Sequence, residues 1–162
     1  LIYATPGSSG RAGQLAAVLE ALSELDCVVI AATAGRESIS NPPRNAYLTD
    51  FLPGAQAVER ASLVICNGGS PASYQALAAG VPVLGIADNM DQLLNMQGVT
   101  ASGAGSLVRA DQFSIPILRA RVSDMLAHSG YRNAAQRVAS ILASYSAPQR
   151  FAASMDDFLG PT

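Results

Sequence analysis

The stretch Leu63-Val64-Ile65-Cys66-Asn67-Gly68-Gly69-Ser70-Pro71-Ala72-Ser73-Tyr74-Gln75-Ala76-Leu77-Ala78-Ala79-Gly80-Val81-Pro82-Val83 packs three elements into a few turns of chain. Leu63–Cys66 is an apolar run that predicts a strand. Asn67-Gly68-Gly69-Ser70-Pro71 breaks it, and Ala72–Ala79 predicts a helix. Ser70 suits the N-cap and Pro71 the first helical position. Gly80 suits the position just past the helix end, and Val81-Pro82 lead into a second strand, Val83–Ala87. A strand, a glycine turn, a helix and another strand is the unit of a parallel sheet.

The same alternation continues in both directions. Upstream, Leu1–Thr5 predicts a strand ending in the turn-forming Pro6-Gly7-Ser8-Ser9-Gly10. Leu15, Val18, Leu19 and Leu22 then fall on one helical face. Cys27–Ala32 is a continuous apolar run with β-branched residues, expected to be a strand buried on both faces. A polar loop with Pro42-Pro43 leads to a short strand at Ala46–Thr49, then Asp50-Phe51-Leu52-Pro53-Gly54, then a short helix at Ala55–Arg60. Downstream, Asp91–Ser102 predicts a helix and Ser106–Val108 a sixth strand. Helices are predicted at Ile115–Ala127, Arg132–Tyr145 and Gln149–Leu159, with Leu118, Val122, Met125, Val138, Ile141, Leu142 and Tyr145 as core stripes. The expected fold is a doubly wound α/β domain, a six-stranded parallel sheet of order 3-2-1-4-5-6 with helices on both faces.

Composition agrees with one packed domain. The chain has 162 residues, 49% of them hydrophobic and only 14% charged, with a net charge of −2. That excludes a disordered tail or a coiled coil, and leaves no basic stripe for nucleic acid. Apolar runs stop well short of the roughly 18–20 residues of a membrane span. Cys27 and Cys66 are expected as core thiols of a protein in the reducing cytoplasm, and a single histidine leaves no metal constellation. His128 is expected beside a helix C-terminus, where its charge suits the dipole. The chain opens at Leu1 inside a strand, without a basic leader, as an excised domain would.

In such sheets ligands bind beyond the carboxyl ends of the strands, where strand order reverses. Gly7–Gly10 and Asn67–Pro71 fall there. Glycines let backbone approach an anion, and a helix start offers free N–H groups and about half a positive charge. After Pro71, the N–H groups of Ala72 and Ser73 are the expected donors. The alternative is that Ser70 caps them from within. Gly7, Gly10 and Gly13 are spaced G-x-x-G-x-x-G, which is not the dinucleotide fingerprint. The second strand runs into Ala31-Ala32-Thr33 without an acid for a ribose, and no P-loop is present.

Residues 61–83 resemble the signature of UDP-glycosyltransferases of the GT-B fold, A-D-L-V-V-x-H-G-G-x-G-T-x-x-E-A-L-x-x-G-V-P. Asp91, Gln92 and Asn95 fall on that family's D-Q-x-x-N. Phe51-Leu52-Pro53 resembles its aromatic-x-Pro segment, and Ala4–Gly10 its opening strand and G-S loop. The resemblance runs in order over roughly residues 1 to 145. It implies the C-terminal, nucleotide-sugar-binding half of such an enzyme, as one domain over residues 1–162, with the N-terminal acceptor domain lying outside this chain.

The resemblance also implies roles. Phe51 would stack on the nucleobase, the Leu52 backbone would bond its edge, and Gln75 would hold the ribose. Ser8, Ser9, Asn67, Gly68, Gly69, Ser70, Ala72 and Ser73 would surround the diphosphate. Asp91 and Gln92 would bond sugar hydroxyls. The chain departs from the pattern where Asn67 replaces His, Pro71 replaces Gly, Ala72 replaces Thr or Ser, and Gln75 replaces Glu. For Gln75 the plain alternative is an exposed helix residue, and for Asp91 an acid that complements its helix dipole. The expected function is binding of a UDP- or TDP-sugar for hexosyl transfer to an acceptor hydroxyl, without metal or other cofactor; no residue stands out as the catalytic base. Two alternatives are half of a sugar-nucleotide epimerase and a nucleotide-sugar-binding module without turnover.

Overall fold

The computed structural model describes residues 1–7 and 9–160. The elements run β1 (Ile2–Thr5), α1 (Gln14–Leu22), β2 (Val29–Ala32), β3 (Ala46–Thr49), α2 (Gly54–Glu59), β4 (Leu63–Cys66), α3 (Ser70–Ala78), β5 (Val83–Ala87), α4 (Met90–Ala101), β6 (Gly105–Arg109), a 3-10 turn at Ala110–Gln112, then α5 (Ile115–Ala127), α6 (Ser129–Ala143) and α7 (Ala147–Leu159). The six strands are all parallel, in the order β3-β2-β1-β4-β5-β6. This is the order expected from the alternation of elements. At β1 the winding reverses, so β2 and β4 flank it on opposite sides.

Alternate residues of each strand feed two cores, which is why the strands read as unbroken apolar runs. Ile2, Ala4, Leu63, Ile65, Leu84 and Ile86 face α1 and α5, where Leu15, Leu19, Leu22, Leu118 and Val122 close the layer. Tyr3, Val64, Cys66 and Val83 face α2, α3, α4 and α6, against Val58, Ala76, Met96 and Ala135. On this side the sheet leaves little depth. A Cβ at Gly85 would stand 2.5 Å from Met96 Cγ, and one at Gly68 2.8 Å from the same atom. Glycine at both places lets the buried Met96 side chain fill that space and draws α4 close.

Several expectations are corrected. β2 begins at Val29, leaving Cys27 outside the strand and only partly buried. α3 starts at Ser70 with Gly69 as its N-cap, so Ser70 caps nothing and Pro71 sits at the second helical position. α4 is instead capped by Asn89, whose Oδ1 accepts the Gln92 N–H at 3.0 Å. Ile141 and Tyr145 are exposed rather than core, and α7 buries none of its residues, leaving Phe151, Phe158 and Leu159 in the open. Periodicity marks a helix's apolar stripe but not whether the domain has surface left to cover it.

Two loop contacts hold the frame. Glu37, between β2 and β3, accepts the N–H groups of Leu15 and Ala16 at 3.2 and 3.3 Å, capping α1 from a distant loop. α3 ends in a Schellman motif, with Gly80 at φ 69°, the Gly80 N–H on the Leu77 carbonyl and the Val81 N–H on that of Ala76. His128 closes α5, its Nδ1 2.9 Å from the Asp124 carbonyl, as expected for a histidine at a helix end. Among the described residues no helix is long and apolar enough to cross a membrane.

Candidate functional site

A cleft of about 350 Å³ opens beyond the carboxyl ends of β1 and β4, the place where strand order reverses. It is lined by Tyr3, Thr5, Gly7, Ser9, Leu52, Gly54, Asn67, Gly69, Pro71, Ala72 and Gln75, with no charged side chain among them.

Asn67 is the tie at its centre and is only 4% exposed. Its Oδ1 accepts the Gly69 N–H at 3.1 Å, and that bond sets which way the amide faces. Its Nδ2 therefore points to Ser9 Oγ, at 3.0 Å. The amide lies between Gly7 and Gly69, where a Cβ would stand 3.1 and 3.2 Å from Oδ1. Two glycines thus let one side chain join the loops after β1 and β4.

Gln92 reaches the same hydroxyl from α4. Its Oε1 accepts the Asp88 N–H at 2.8 Å, so its Nε2 is the end that meets Ser9 Oγ, at 3.3 Å. The side chain is 1% exposed and lies behind the cleft, not in its lining. Ser9 Oγ accepts from two amides. Both its lone pairs are used, and its proton is left to donate.

The start of α3 is also built for donation. No side chain caps it, and no intrahelical carbonyl can reach the N–H groups of Ser70 and Ala72. Ala72 lines the cleft, whereas the Ser70 side chain does not. The Ser73 N–H is not free as expected: it bonds the Gly69 carbonyl at 3.3 Å. The Ser73 hydroxyl is buried too, taking a 2.8 Å bond from Asn95 Nδ2 and donating to the carbonyls of Gly69 or Ser70. Asn95 Nδ2 also bonds the Gly68 carbonyl at 2.8 Å, which fixes the glycine turn on α4. Gly68 itself sits at φ 81°.

At the other end of the cleft Leu52 lines the wall, and the exposed Gln75 lies across Gly54, close enough that a Cβ there would be 2.5 Å from Oε1. Phe51, the residue before Leu52, is 78% exposed and outside the lining, a large aromatic face held in solvent. Asp91 is exposed in the first turn of α4, beyond the cleft's lining. Ser8 lies outside the described residues.

The floor carries two residues that the sequence reading passed over. Tyr3 and Thr5 point to the same side of β1, and both line the cleft. Burial pushes the Tyr3 phenol above its usual range, with the neighbouring Thr5 side chain working the other way, so it remains a donor. The signal was a tyrosine at an inward strand position, where a buried hydroxyl needs a partner. Cys66, fully buried beneath the turn, is pushed up to about 11 by desolvation, with the Gly68 N–H on its sulfur working the other way. It is a packed thiol, not a nucleophile. Among the described residues no three His, Cys, Asp or Glu side chains come together as a metal site would require.

The family model for the C-terminal domain of erythromycin biosynthesis protein CIII-like proteins matches residues 16–158. The chain belongs to this family. It is thus a C-terminal domain of the GT-B glycosyltransferase type. A PGL/p-HBAD biosynthesis glycosyltransferase of Mycobacterium tuberculosis is 50% identical over 139 residues, 86% of this chain and 32% of that protein. A PGL/p-HBAD biosynthesis rhamnosyltransferase of Mycobacterium bovis is 48% identical over 139 residues, 86% of this chain and 31% of that one. The chain therefore spans about a third of the length of the curated relatives it matches. Among solved structures, a calicheamicin glycosyltransferase superposes with a TM-score of 0.86 at 22% identity, covering 99% of this chain and 42% of that one. A spinosyn rhamnosyltransferase complexed with thymidine diphosphate gives 0.81 at 21% identity, covering 96% and 45%. At these identities the structures speak for the fold of the CIII-like C-terminal domain, not for its ligand.

Proposed function

We propose that this domain binds the donor of a glycosyltransferase, a UDP- or TDP-sugar, and presents it for transfer of a hexosyl group to an acceptor hydroxyl held by an N-terminal domain. The observation that carries this is the cleft itself. It lies at the reversal point of the sheet and joins an uncapped helix start to a serine whose proton is left for a ligand. Such a site suits a diphosphate bound by dipoles. The 50% identical relative, named a glycosyltransferase, supports the reaction class. The rhamnosyltransferase structure complexed with thymidine diphosphate supports TDP as the first nucleotide to try.

In this reading Phe51 offers its open face to the base, and the Leu52 backbone bonds the base edge. Gln75, beside Gly54, bonds the ribose. Gly68, Gly69, Ser9 and the N–H groups of Ser70 and Ala72 surround the diphosphate, and the family resemblance adds Ser8, which lies outside the described residues, to this set. Asn67 and Ser73 act by holding that turn in shape, and Gln92 by holding Ser9. Asp91 accepts bonds from the sugar. As the glycosidic bond breaks, negative charge grows on the leaving diphosphate, and preorganised N–H dipoles stabilise it without rearranging. No carboxylate or imidazole lines the cleft, so the base that takes the acceptor's proton belongs to the N-terminal domain. The two unpaired thiols suit a reducing, cytoplasmic setting.

Calorimetry on the full-length protein tests the reading. TDP or UDP should bind more tightly than NAD or ATP, and a UDP- or TDP-sugar should be turned over with a suitable acceptor. NAD preferred over both diphosphates overturns it. Tight binding of the nucleotide sugar without turnover over a panel of acceptors would leave a binding module in its place.

A further inference from the structure

We infer that Thr33 and Asp50 are a pair of positioning residues that sets base preference, by holding the chain from Asp50 to Gly54 where Leu52 and Gly54 wall the cleft. This rests on the donor-site reading above, in which Phe51 and Leu52 meet the nucleobase. Neither Thr33 nor Asp50 lines that cleft. Both line a neighbouring cavity of about 560 Å³ beyond β2 and β3.

The turn after β2 points to the pair. Among the described residues Ala34 is the only non-glycine at positive φ, 55°, and Gly35 follows at 67°. A side chain is held left-handed only where its surroundings over-determine the backbone. Here three bonds do so. The Thr33 N–H donates to the Thr49 carbonyl and the Ala34 N–H to the Asp50 carbonyl, each at 2.9 Å. The Gly35 N–H turns back onto Thr33 Oγ1 at 3.2 Å. That bond uses the hydroxyl as an acceptor, and its one proton goes to Asp50 Oδ1 at 2.8 Å. Thr33 is 4% exposed, so the bond is anchored at the end of the sheet. A hydroxyl on a carboxylate belongs to the stronger class of hydrogen bond.

Asp50 is thus gripped twice from one turn, by backbone and by side chain. The ladder of β2 and β3 closes at Ala32 and Thr49, and this grip carries the pairing one residue further. Thr49 Oγ1 then donates to the Phe51 carbonyl at 3.4 Å. Pro53 follows as the N-cap of α2, its ring fixing φ at −64°. Only Phe51 and Leu52 lie between the grip and the cap, and Leu52 is partly buried against the core. A shift of Asp50 must therefore pass to these two residues.

The test compares Thr33→Val, Thr33→Ser, Asp50→Ala and the double variant of Thr33→Val with Asp50→Ala against wild type. Calorimetry on the full-length protein uses TDP and ADP, which share a diphosphate and differ in the base. Thr33→Val and Asp50→Ala should each weaken TDP roughly three- to tenfold, the scale of one hydrogen bond, and ADP by less than about twofold. Thr33→Ser keeps the hydroxyl and should match wild type. The double variant should be no weaker than the weaker single one, because both remove the same bond. Unchanged TDP affinity in either single variant overturns the inference. So do equal losses for TDP and ADP, which mark a general structural role, losses that add in the double variant, and a Thr33→Ser protein as weak as Thr33→Val. Asp50 is exposed, so its variant decides the matter should Thr33→Val fail to fold. Wild-type protein that holds ADP as tightly as TDP and UDP would instead refute the donor-site reading, an outcome separate from any of these.

Discussion

Asn67 Nδ2 and Ser9 Oγ meet at 3.0 Å and join loops 58 positions apart in the chain. The loop after β1 and the turn after β4 share this bond. Asn67→Ala should free the first loop and strand the Gly69 N–H that Oδ1 now accepts. Leaving a buried donor unpaired costs about 1–3 kcal/mol. The urea midpoint should fall accordingly, and TDP affinity should fall with it. An unchanged midpoint would show that the two loops keep their places without Asn67.

Ser9 and Asp91 separate two ends of the ligand. Asp91→Ala should weaken an intact nucleotide sugar about tenfold or more and leave the free nucleoside diphosphate almost untouched. Ser9→Ala should weaken both. Calorimetry with TDP and a TDP-sugar decides. Equal losses for both ligands on Asp91→Ala would make that residue a helix-dipole partner only.

The cleft lining lacks charge, and salt should reveal it. A diphosphate held by Lys or Arg loses affinity steeply as ions screen the pair, whereas short-range N–H and hydroxyl bonds are far less affected. TDP affinity should therefore change by less than about threefold between low and physiological salt. A tenfold fall would point to a cation supplied from outside this chain.

Cys66 makes stability pH-dependent on the alkaline side. An unfolded thiol ionises near 9, and this one near 11 when folded. As pH rises, the unfolded chain loses its proton first and is favoured. The contribution is whole below pH 9 and is lost on the way to pH 11, up to roughly 3 kcal/mol. Unfolding of wild type and Cys66→Ala across that range measures it. The substitution should flatten the decline.

Gly85→Ala should cost about 1–3 kcal/mol by overpacking against Met96. Combining it with Met96→Ala should cost less than the sum of the two single changes, because each relieves the other's misfit. Additive losses would mean that α4 shifts as a whole to make room.

The sheet was legible because each strand is a short apolar run closed by glycine, proline or a polar turn, and alternation leaves few ways to wind. The edges of elements were less so. Ser70 looked like a cap on local chemistry alone, but Asn67 Oδ1 takes the Gly69 N–H and moves the helix start back. Phe51, Leu52 and Gln75 were placed together by a family pattern; Leu52 and Gln75 both line the cleft, whereas Phe51 stands in solvent outside the lining. Gln92 was assigned by the same pattern, yet its amide is spent on Asp88 and Ser9. Tyr3 and Glu37 were invisible because their partners are set by tertiary contacts: a strand face shared with Thr5, and a helix start more than twenty positions away.

Glu37 gives the sheet edge a chemical polarity. Two helices begin near that edge after glycine-bearing loops, and each start carries partial positive charge. At α1 the chain has seated its own carboxylate on the N–H groups of Leu15 and Ala16. The domain is self-ligated there. In the proposed donor site an incoming dianion would meet like charge at one helix start and open donors at the other, so its phosphates would have one address. The orientation of the bound molecule would then be encoded by an acid that never touches it.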